Sequence, residues 1–412
     1  MTTLERARFI TDFARRLHLA GVAASRLEGA VQSTARAIGV ECQIWSSPTG
    51  ILLSLGDPAN PSIQHTRVLR LEPAEPNLSD LVKLDEIAEL VIAGRMDVEA
   101  AYEQLRALDR PTASRDVLWS IIAFGLAAAA VAGLLRTSWM DVAVAAALGL
   151  IIGAIAVPAR DRPHVGAASE AIASIAATVL ASAFAQFVAP ISIQTVVIAS
   201  LIVLMPGLSL TTAVNELASG QLVTGTARFA GAMVILFKLT FGSIAGTQIV
   251  NALGWAPRTD QAMTLPGSVE VIASLAAAFA FAILFRTNKR DIPLVMASAV
   301  MGYVLTRVAS GWFTPSDVAG VTFAAGVFFS SLVMAALANL YGRMAGRPST
   351  LVSLPSIMLL VPGSVGFRGV ASIMERNYAL GLETGVAVLS ALVALMAGLL
   401  FGSVLVAPKR YL

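Results

Sequence analysis

AIASIAATVLASAFAQFVAPISIQTVVIASLIVLMPGLSLTTAVN, residues 171–215, is 45 residues long and holds no charged side chain. No soluble core needs so long an uncharged run. A helix crossing a bilayer needs about 20 apolar residues, so this stretch is long enough for two. Pro190 divides it, giving spans at Val165–Phe187 and Ile191–Leu210. Reading outward to the N-terminal side adds Val117–Leu135 and Val142–Ala159. Reading outward to the C-terminal side adds Phe229–Leu253, Val269–Phe285, Ile292–Thr306, Val318–Tyr341, Leu351–Phe367 and Leu380–Ala407. The expectation is a multi-span α-helical membrane protein with about ten transmembrane helices.

Composition agrees. Of 412 residues, 56% are hydrophobic and 13% charged, against about 25% charged in a soluble domain, and mean hydropathy is +0.76. One Cys excludes a disulfide scaffold and a Cys-based metal cluster. The three His residues, 18, 65 and 164, have no metal spacing. Nothing calls for a cofactor or a metal, no P-loop points to an ATP-driven pump, and no basic–aromatic patch points to nucleic acid.

The charges divide the chain near Pro111. Residues 1–116 hold 13 Lys and Arg with 16 Asp and Glu; residues 117–412 hold 16 and 10. The division expected is a cytoplasmic α+β domain over 1–112, a first transmembrane repeat over 113–257 and a second over 258–412. In the small soluble head, residues 4–38 show helical spacing broken at Gly21 and stopped at Gly39. Strand-like runs follow at Glu41–Ser46, Ile51–Leu55 and Gln64–Leu71, then helices at Leu78–Ala93 and Val98–Leu108. Asn77 or Ser79 can cap the first of these helices and Asp97 the second. Glu28, Asp57, His65 and Arg67 are acid–base types, and Ser46 and Ser47 are hydroxyl nucleophiles. No spacing motif links them, and their ordinary reading is surface and turn residues.

Orientation follows from positive charge. MTTLERARFI is charged from Glu5 onward and reads as no signal peptide, so the head is expected in the cytoplasm. Short inside loops then hold ten Lys and Arg, among them Arg160, Arg228, Arg347 and the Lys409-Arg410 tail. Outside loops hold five: Arg136, Arg258, Arg307, Arg368 and Arg376. The even span count returns the C-terminus to the cytoplasm as well.

An internal repeat is visible. Leu204-Met205-Pro206-Gly207 recurs 156 residues later as Leu360-Val361-Pro362-Gly363, the same offset pairs Gly225 with Gly381, and Asp141 and Asp291 open the second and seventh spans. Two copies of five spans each must lie in opposite orientations, so a five-plus-five inverted repeat is expected. Matched Pro/Gly interruptions in such repeats point to a secondary transporter and its binding site. Proline removes a donor and glycine permits non-helical angles. The freed backbone groups can then meet a polar substrate, and an amino acid zwitterion suits them. Pro206, Gly207, Ser209, Pro362, Gly363 and Ser364 are the expected substrate contacts.

Lys238 sits mid-span, where an unpaired charge costs roughly 2.5–3.5 kcal/mol. It should pair within the bundle or bind a carboxylate. Glu170, Glu270 and Asp317 lie near span ends, where a carboxyl group can exchange protons; a helix-cap or interface charge is the plainer reading. Glu216 and Arg228 follow the first Pro-Gly and can pair to shape an inner gate; Arg368 follows the second. Gly149, Gly153, Gly242 and Gly246 form small-xxx-small patterns for packing.

Several segments carry a family resemblance: Gly21-Val22-Ala23-Ala24-Ser25-Arg26-Leu27-Glu28, Pro48-Thr49-Gly50, Met205 to Leu210, Asn215 to Gly220, Gly225-Thr226-Ala227-Arg228, Val361 to Ser364 and Arg368-Gly369. In this order they resemble the threonine/serine exporter family, a soluble N-terminal domain followed by ten spans. The chain departs from the family's pattern at Gln221, where an acidic residue is usual. The resemblance implies a multi-pass exporter of threonine and serine in the bacterial cytoplasmic (inner) membrane, driven by the proton motive force and not an enzyme. Its partners would be a small amino acid, protons as coupling ion and the lipid bilayer. Two other readings compete. One is a transporter or channel for another small metabolite such as a dicarboxylate. The other is a membrane-tethered hydrolase or sensor whose head holds Glu28, Asp57 and His65 in one cleft.

Overall fold

A computed structural model describes residues 3–57, 60–109, 113–160, 162–258, 265–312, 319–360 and 363–408. Asp317, Val361, Pro362 and the Lys409-Arg410 tail lie outside the described residues.

The N-terminal region begins with α1 (Thr3–Leu19) and α2 (Ala24–Ala37). Phe9, Phe13 and Leu17 recur every fourth residue on one face of α1 and are fully buried. Gly21 separates the helices with φ 73°, and a Cβ there would stand 2.7 Å from Pro76 N, so the backbone approach leaves room only for glycine. Then come β1 (Glu41–Ser47), β2 (Gly50–Asp57) and β3 (Asn60–Arg70), an antiparallel meander in the order β1-β2-β3. Ile51, Leu53 and Leu55 alternate inward along β2 and are buried. Helices α3 (Leu78–Ile92) and α4 (Val98–Arg106) follow. Asn77 caps α3 by accepting from Asp80 N. Asp97 stands at the N-cap of α4 but makes no capping bond.

The rest is helical: α5 (Ser114–Leu134), α6 (Trp139–Ala159), α7 (Pro163–Phe187), α8 (Ile193–Ser200), α9 (Gly207–Ala218), α10 (Leu222–Ala252), α11 (Ser268–Leu284), α12 (Ile292–Trp312), α13 (Ala319–Ala345), α14 (Thr350–Met358), α15 (Gly363–Met374) and α16 (Tyr378–Leu405). Among the described residues eight segments are long and apolar enough to cross a membrane, with α14 and α15 taken as one. Two of the ten expected spans fall outside this count. The fourth is split into α8 and α9 and bent by 52°, so it becomes a ninth only if the bent pair counts as one span. The sixth, α11, has 17 residues, about 26 Å of helix against a hydrocarbon core of about 30 Å. The chain is a membrane protein.

Glycines set how closely these helices pack. A Cβ on Gly149 would stand 2.7 Å from Ala128 Cβ, joining α6 to α5. A Cβ on Gly242 would stand 2.5 Å from Ala171 O, joining α10 to α7. Gly398, 156 residues on, meets Phe328 O at the same 2.5 Å and joins α16 to α13. Gly246 meets Thr178, and Gly402, again 156 residues on, meets Leu332 and Ala335. Gly225 abuts Leu217 and Ala213 O; Gly381 abuts Ile373 and Gly369 O, each partner shifted by the same 156 residues. The aspartates match in kind. Asp141 accepts from Ser192 N just before α8, and Asp291 receives Arg347 just before α14.

The charge boundary near Pro111 is not a boundary in space. The core of the N-terminal region runs on into Phe281, Phe285 and Leu351. Leu78 N donates to Phe285 O (2.9 Å), Ser79 Oγ to Asn288 Oδ1 (2.8 Å) and Thr224 Oγ1 to Ser46 O (2.9 Å). Arg160 pairs with Glu75 at 2.8 Å.

Candidate functional site

The site begins with a break in a helix. A residue before proline is pushed toward extended backbone, and Met205 has φ −69° and ψ 128°. After the single 3-10 turn Ile202–Leu204, Pro206 has no N–H to continue the ladder, and α9 restarts at Gly207. α15 restarts at Gly363. The two restarts touch: a Cβ on Gly363 would lie 3.4 Å from Gly207 Cα and 3.5 Å from Met205 Cβ. Two helix N-termini, each with a partial positive charge, thus converge, and Gly207 N–H is already bonded to Met205 O at 2.8 Å.

Beside them lies a cavity of about 630 Å³ between the N-terminal region and the membrane helices. The connector Gly21–Ala23, Arg26 and Glu75 contribute from one side, and Met205, Pro206, Ser209 and Thr211 from the other. Glu170, Arg228 and the α14 residues Thr350 and Ser353 complete the lining used here. Arg26 Nη1 donates to Thr350 Oγ1 at 2.8 Å and to Ser349 Oγ at 3.3 Å, tying the two regions across the cavity.

The expected site residues divide as follows. Pro206 and Ser209 line the cavity, and Gly207 meets Gly363. Ser364 is half-buried on α15 and is not among the lining residues. Lys238 is not a lone cation: its Nζ stands 3.5 Å from Glu170 Oε2, so two separate expectations form one pair. Glu216 and Arg228 pair, with Nε to Oε2 at 3.0 Å and Nη2 to Oε1 at 3.2 Å. Glu216 is 1% exposed and also accepts from Ala24 N at 3.3 Å. The backbone of the N-terminal region is thereby held by the same carboxylate that holds Arg228.

Other expected residues stand elsewhere. Glu270 accepts from Tyr303 at 2.5 Å and pairs with Arg307 at 3.2 Å, outside the cavity lining. Arg368 is exposed on α15 and, unlike Arg228, has no ion-pair partner among the described residues. The head residues do not gather. Glu28 reaches Ser46 N at 2.8 Å and Gln221 Nε2 at 3.0 Å, and Ser46 pairs with Ile51, opposite Leu69. His65 is opposite Leu55, four residues from Leu69 along β3, about 13 Å. Asp57 is paired with Asn60 beyond it. Ser47 Oγ donates to Gly50 O and closes the β1–β2 turn.

Two lining features are not among the expected site residues. Thr211 follows Gly207 by four residues, so helical spacing alone puts both on one face. The Gly21–Ala23 connector carries no chemical side chain, and only the fold brings it to the cavity. Outside the membrane, His18 donates through Nε2 to Glu72 O at 3.1 Å. Burial, followed by the nearby Arg228 charge, holds its pKa below the ordinary 6.5.

Comparison with known proteins finds a family that covers both parts of the chain. The threonine/serine exporter family matches residues 8–250 and, in a second part, residues 270–405. Pheromone-regulated membrane protein 10 of Yarrowia lipolytica is 26% identical over 394 residues, covering 92% of this chain and 31% of that protein. Its namesake in Pichia sorbitophila is 24% identical, covering 88% and 36%. An uncharacterized protein of Schizosaccharomyces pombe is 22% identical, covering 89% and 48%. The chain thus spans about a third to a half of the length of these curated relatives. No solved structure matches it. By the family match across both parts of its length, the chain belongs to the threonine/serine exporter family.

Proposed function

We propose that the protein is a secondary active exporter of small polar amino acids, threonine and serine, driven by the proton motive force. The observation that carries this reading is the meeting of Gly207 and Gly363 beside the cavity. Converging helix N-termini favour a carboxylate, which an amino acid brings. Pro206, Gly207 and Ser209 would contact it from one break, and Pro362, Gly363 and Ser364 from the other.

Glu170 supplies the coupling in this reading. The residue lines the cavity, and its carboxylate stands 3.5 Å from the Lys238 ammonium. A substrate ammonium and a proton would compete for it, so that one is taken as the other is released. That exclusion is antiport. Glu216 and Arg228 would gate the inner side, Arg368 the outer side, and Glu270 and Asp317 remain secondary proton-coupling candidates.

The wider architecture in this reading is ten spans in five-plus-five inverted repeats, residues 113–257 and 258–412, after a cytoplasmic domain over 1–112. The bent α8–α9 and short α11 are then spans four and six. The recurring glycine contacts at an offset of 156 residues support it, as does charge asymmetry between loops. Both termini lie in the cytoplasm and the membrane is the bacterial inner membrane. Alternating access pivots on the two Pro-Gly breaks.

The test is radiolabelled threonine transport in proteoliposomes, with and without a pH gradient, for wild type and Lys238→Ala. Gradient-dependent movement that the substitution abolishes is expected. Movement that ignores the gradient would remove proton coupling. No threonine movement by thermally intact protein would remove the substrate, and dicarboxylate movement in the same vesicles would replace it.

A further inference from the structure

Six buried side-chain oxygens lack a hydrogen-bond partner among the described residues, those of Glu170, Gln186, Thr211, Thr240, Thr287 and Ser310. Only Glu170 and Thr211 of these belong to residues lining the cavity. Glu170 has the Lys238 ammonium nearby. Thr211 has nothing, although it is 3% exposed.

Of the two orphaned threonine hydroxyls inside helices, those of Thr211 and Thr240, only the first belongs to a residue lining the cavity. A threonine inside a helix has an easy partner, the carbonyl four residues back. Thr11, Thr34, Thr247, Thr306 and Thr384 all donate to that carbonyl, at 2.6–3.1 Å. Thr211 does not. A buried hydroxyl without a partner is costly, and in a native fold it asks for an occupant.

We infer that the Thr211 hydroxyl reads the side-chain hydroxyl of the transported amino acid. The inference rests on the transport reading above and adds the residue that sets specificity. It follows by matching groups. In that reading the substrate carboxylate is taken by the converging N-termini at Gly207 and Gly363, and its ammonium by Glu170. The polar group left on threonine or serine is a neutral hydroxyl. Thr211 carries a neutral hydroxyl one turn into α9, on the Gly207 face of the helix; the residue belongs to the cavity lining and its oxygen is enclosed in this conformation. A site that hydrogen-bonds a substrate hydroxyl rejects the analogue without one, because its own buried group is left unpaired.

The experiment is competition for labelled threonine uptake into proteoliposomes by unlabelled threonine, serine, alanine and 2-aminobutyrate. The last is threonine with hydrogen in place of the hydroxyl. Wild type should prefer threonine over 2-aminobutyrate by at least about tenfold. Thr211→Val keeps the size and removes the hydroxyl; the preference should fall toward unity. Thr211→Ser keeps the hydroxyl and should keep the preference, which controls for a variant that folds poorly. A Thr211→Val protein with the wild-type preference overturns the inference while leaving the transport reading standing. So does one that weakens both competitors equally. Wild-type protein that is thermally intact and moves no threonine overturns the transport reading, and the inference with it.

Discussion

The two halves of the membrane region share a scaffold and differ in chemistry. Helices α9 and α10 approach at Gly225 as α15 and α16 do at Gly381; α10 meets α7 at Gly242 as α16 meets α13 at Gly398. The polar groups of the cavity side have no such echo. At an offset of 156 residues Glu170 is matched by Gly326, Thr211 by Phe367, Glu216 by Ser372, Arg228 by Thr384 and Lys238 by Ala394. Small residues are kept where backbones touch, because no side chain fits there. Charge is kept where it has a partner: both halves meet the N-terminal region, the second at Phe285 O, Asn288 and Thr350, but it is Glu216 in the first half that takes a backbone amide from it, at Ala24 N. The glycine contacts recur in both halves; the chemistry is one-sided.

The largest effect should come from breaking the one-sided part. Arg228→Leu leaves the Glu216 carboxylate buried at 1% exposure without its bidentate partner. An uncompensated buried charge costs about 3–5 kcal/mol, read as a loss of unfolding midpoint in detergent. The matched change Thr384→Val removes one exposed bond to Leu380 O and should stay within about 0.5 kcal/mol. Similar losses at both sites would erase the asymmetry.

The shared part should answer symmetrically. A Cβ on Gly225 would stand 2.7 Å from Leu217 Cγ, and one on Gly381 would collide with Ile373. Gly225→Ala and Gly381→Ala should each cost about 1–3 kcal/mol as overpacked contacts. If only one of the two is tolerated by thermal unfolding, the two hairpins are not equivalent scaffolds.

Much of this was legible in the sequence, and the reason differs by feature. The span positions follow from apolar length, and the Pro-Gly breaks from backbone chemistry, so both could be read without a fold. Pairing could not. Lys238 and Glu170 are 68 residues apart and their meeting depends on how α10 packs against α7 at Gly242. Thr211 was within reach by its spacing from Gly207, but its orphaned hydroxyl shows only in the packed structure. The charge boundary at Pro111 separates compositions, whereas the apolar core of the N-terminal region continues into α11 through Phe281 and Phe285. Hydropathy reads exposure to lipid or water and is silent on which surfaces join.

The smallest effect expected is a response to acid, and it should also fall on one half. His18 is buried, and burial together with the Arg228 charge lowers its pKa from 6.5. The folded protein therefore binds its proton less readily than the unfolded chain does. Stability from His18 is fully present above about pH 6.5 and is lost as the pH falls below it. Protonation would place a second positive charge near Arg228, whose partner Glu216 also holds Ala24 N. Acid should then loosen the contact between the N-terminal region and α9 while leaving α15 alone. Hydrogen exchange at pH 7.5 and pH 5.5, corrected for intrinsic rates, should show protection falling in Gly207–Ala218 and not in Gly363–Met374. His18→Gln, which carries no titrating group, should remove the difference. Equal loss in both helices, or a loss that survives the substitution, would mean that acid acts through the carboxylates at large, and the asymmetry would have no bearing on pH.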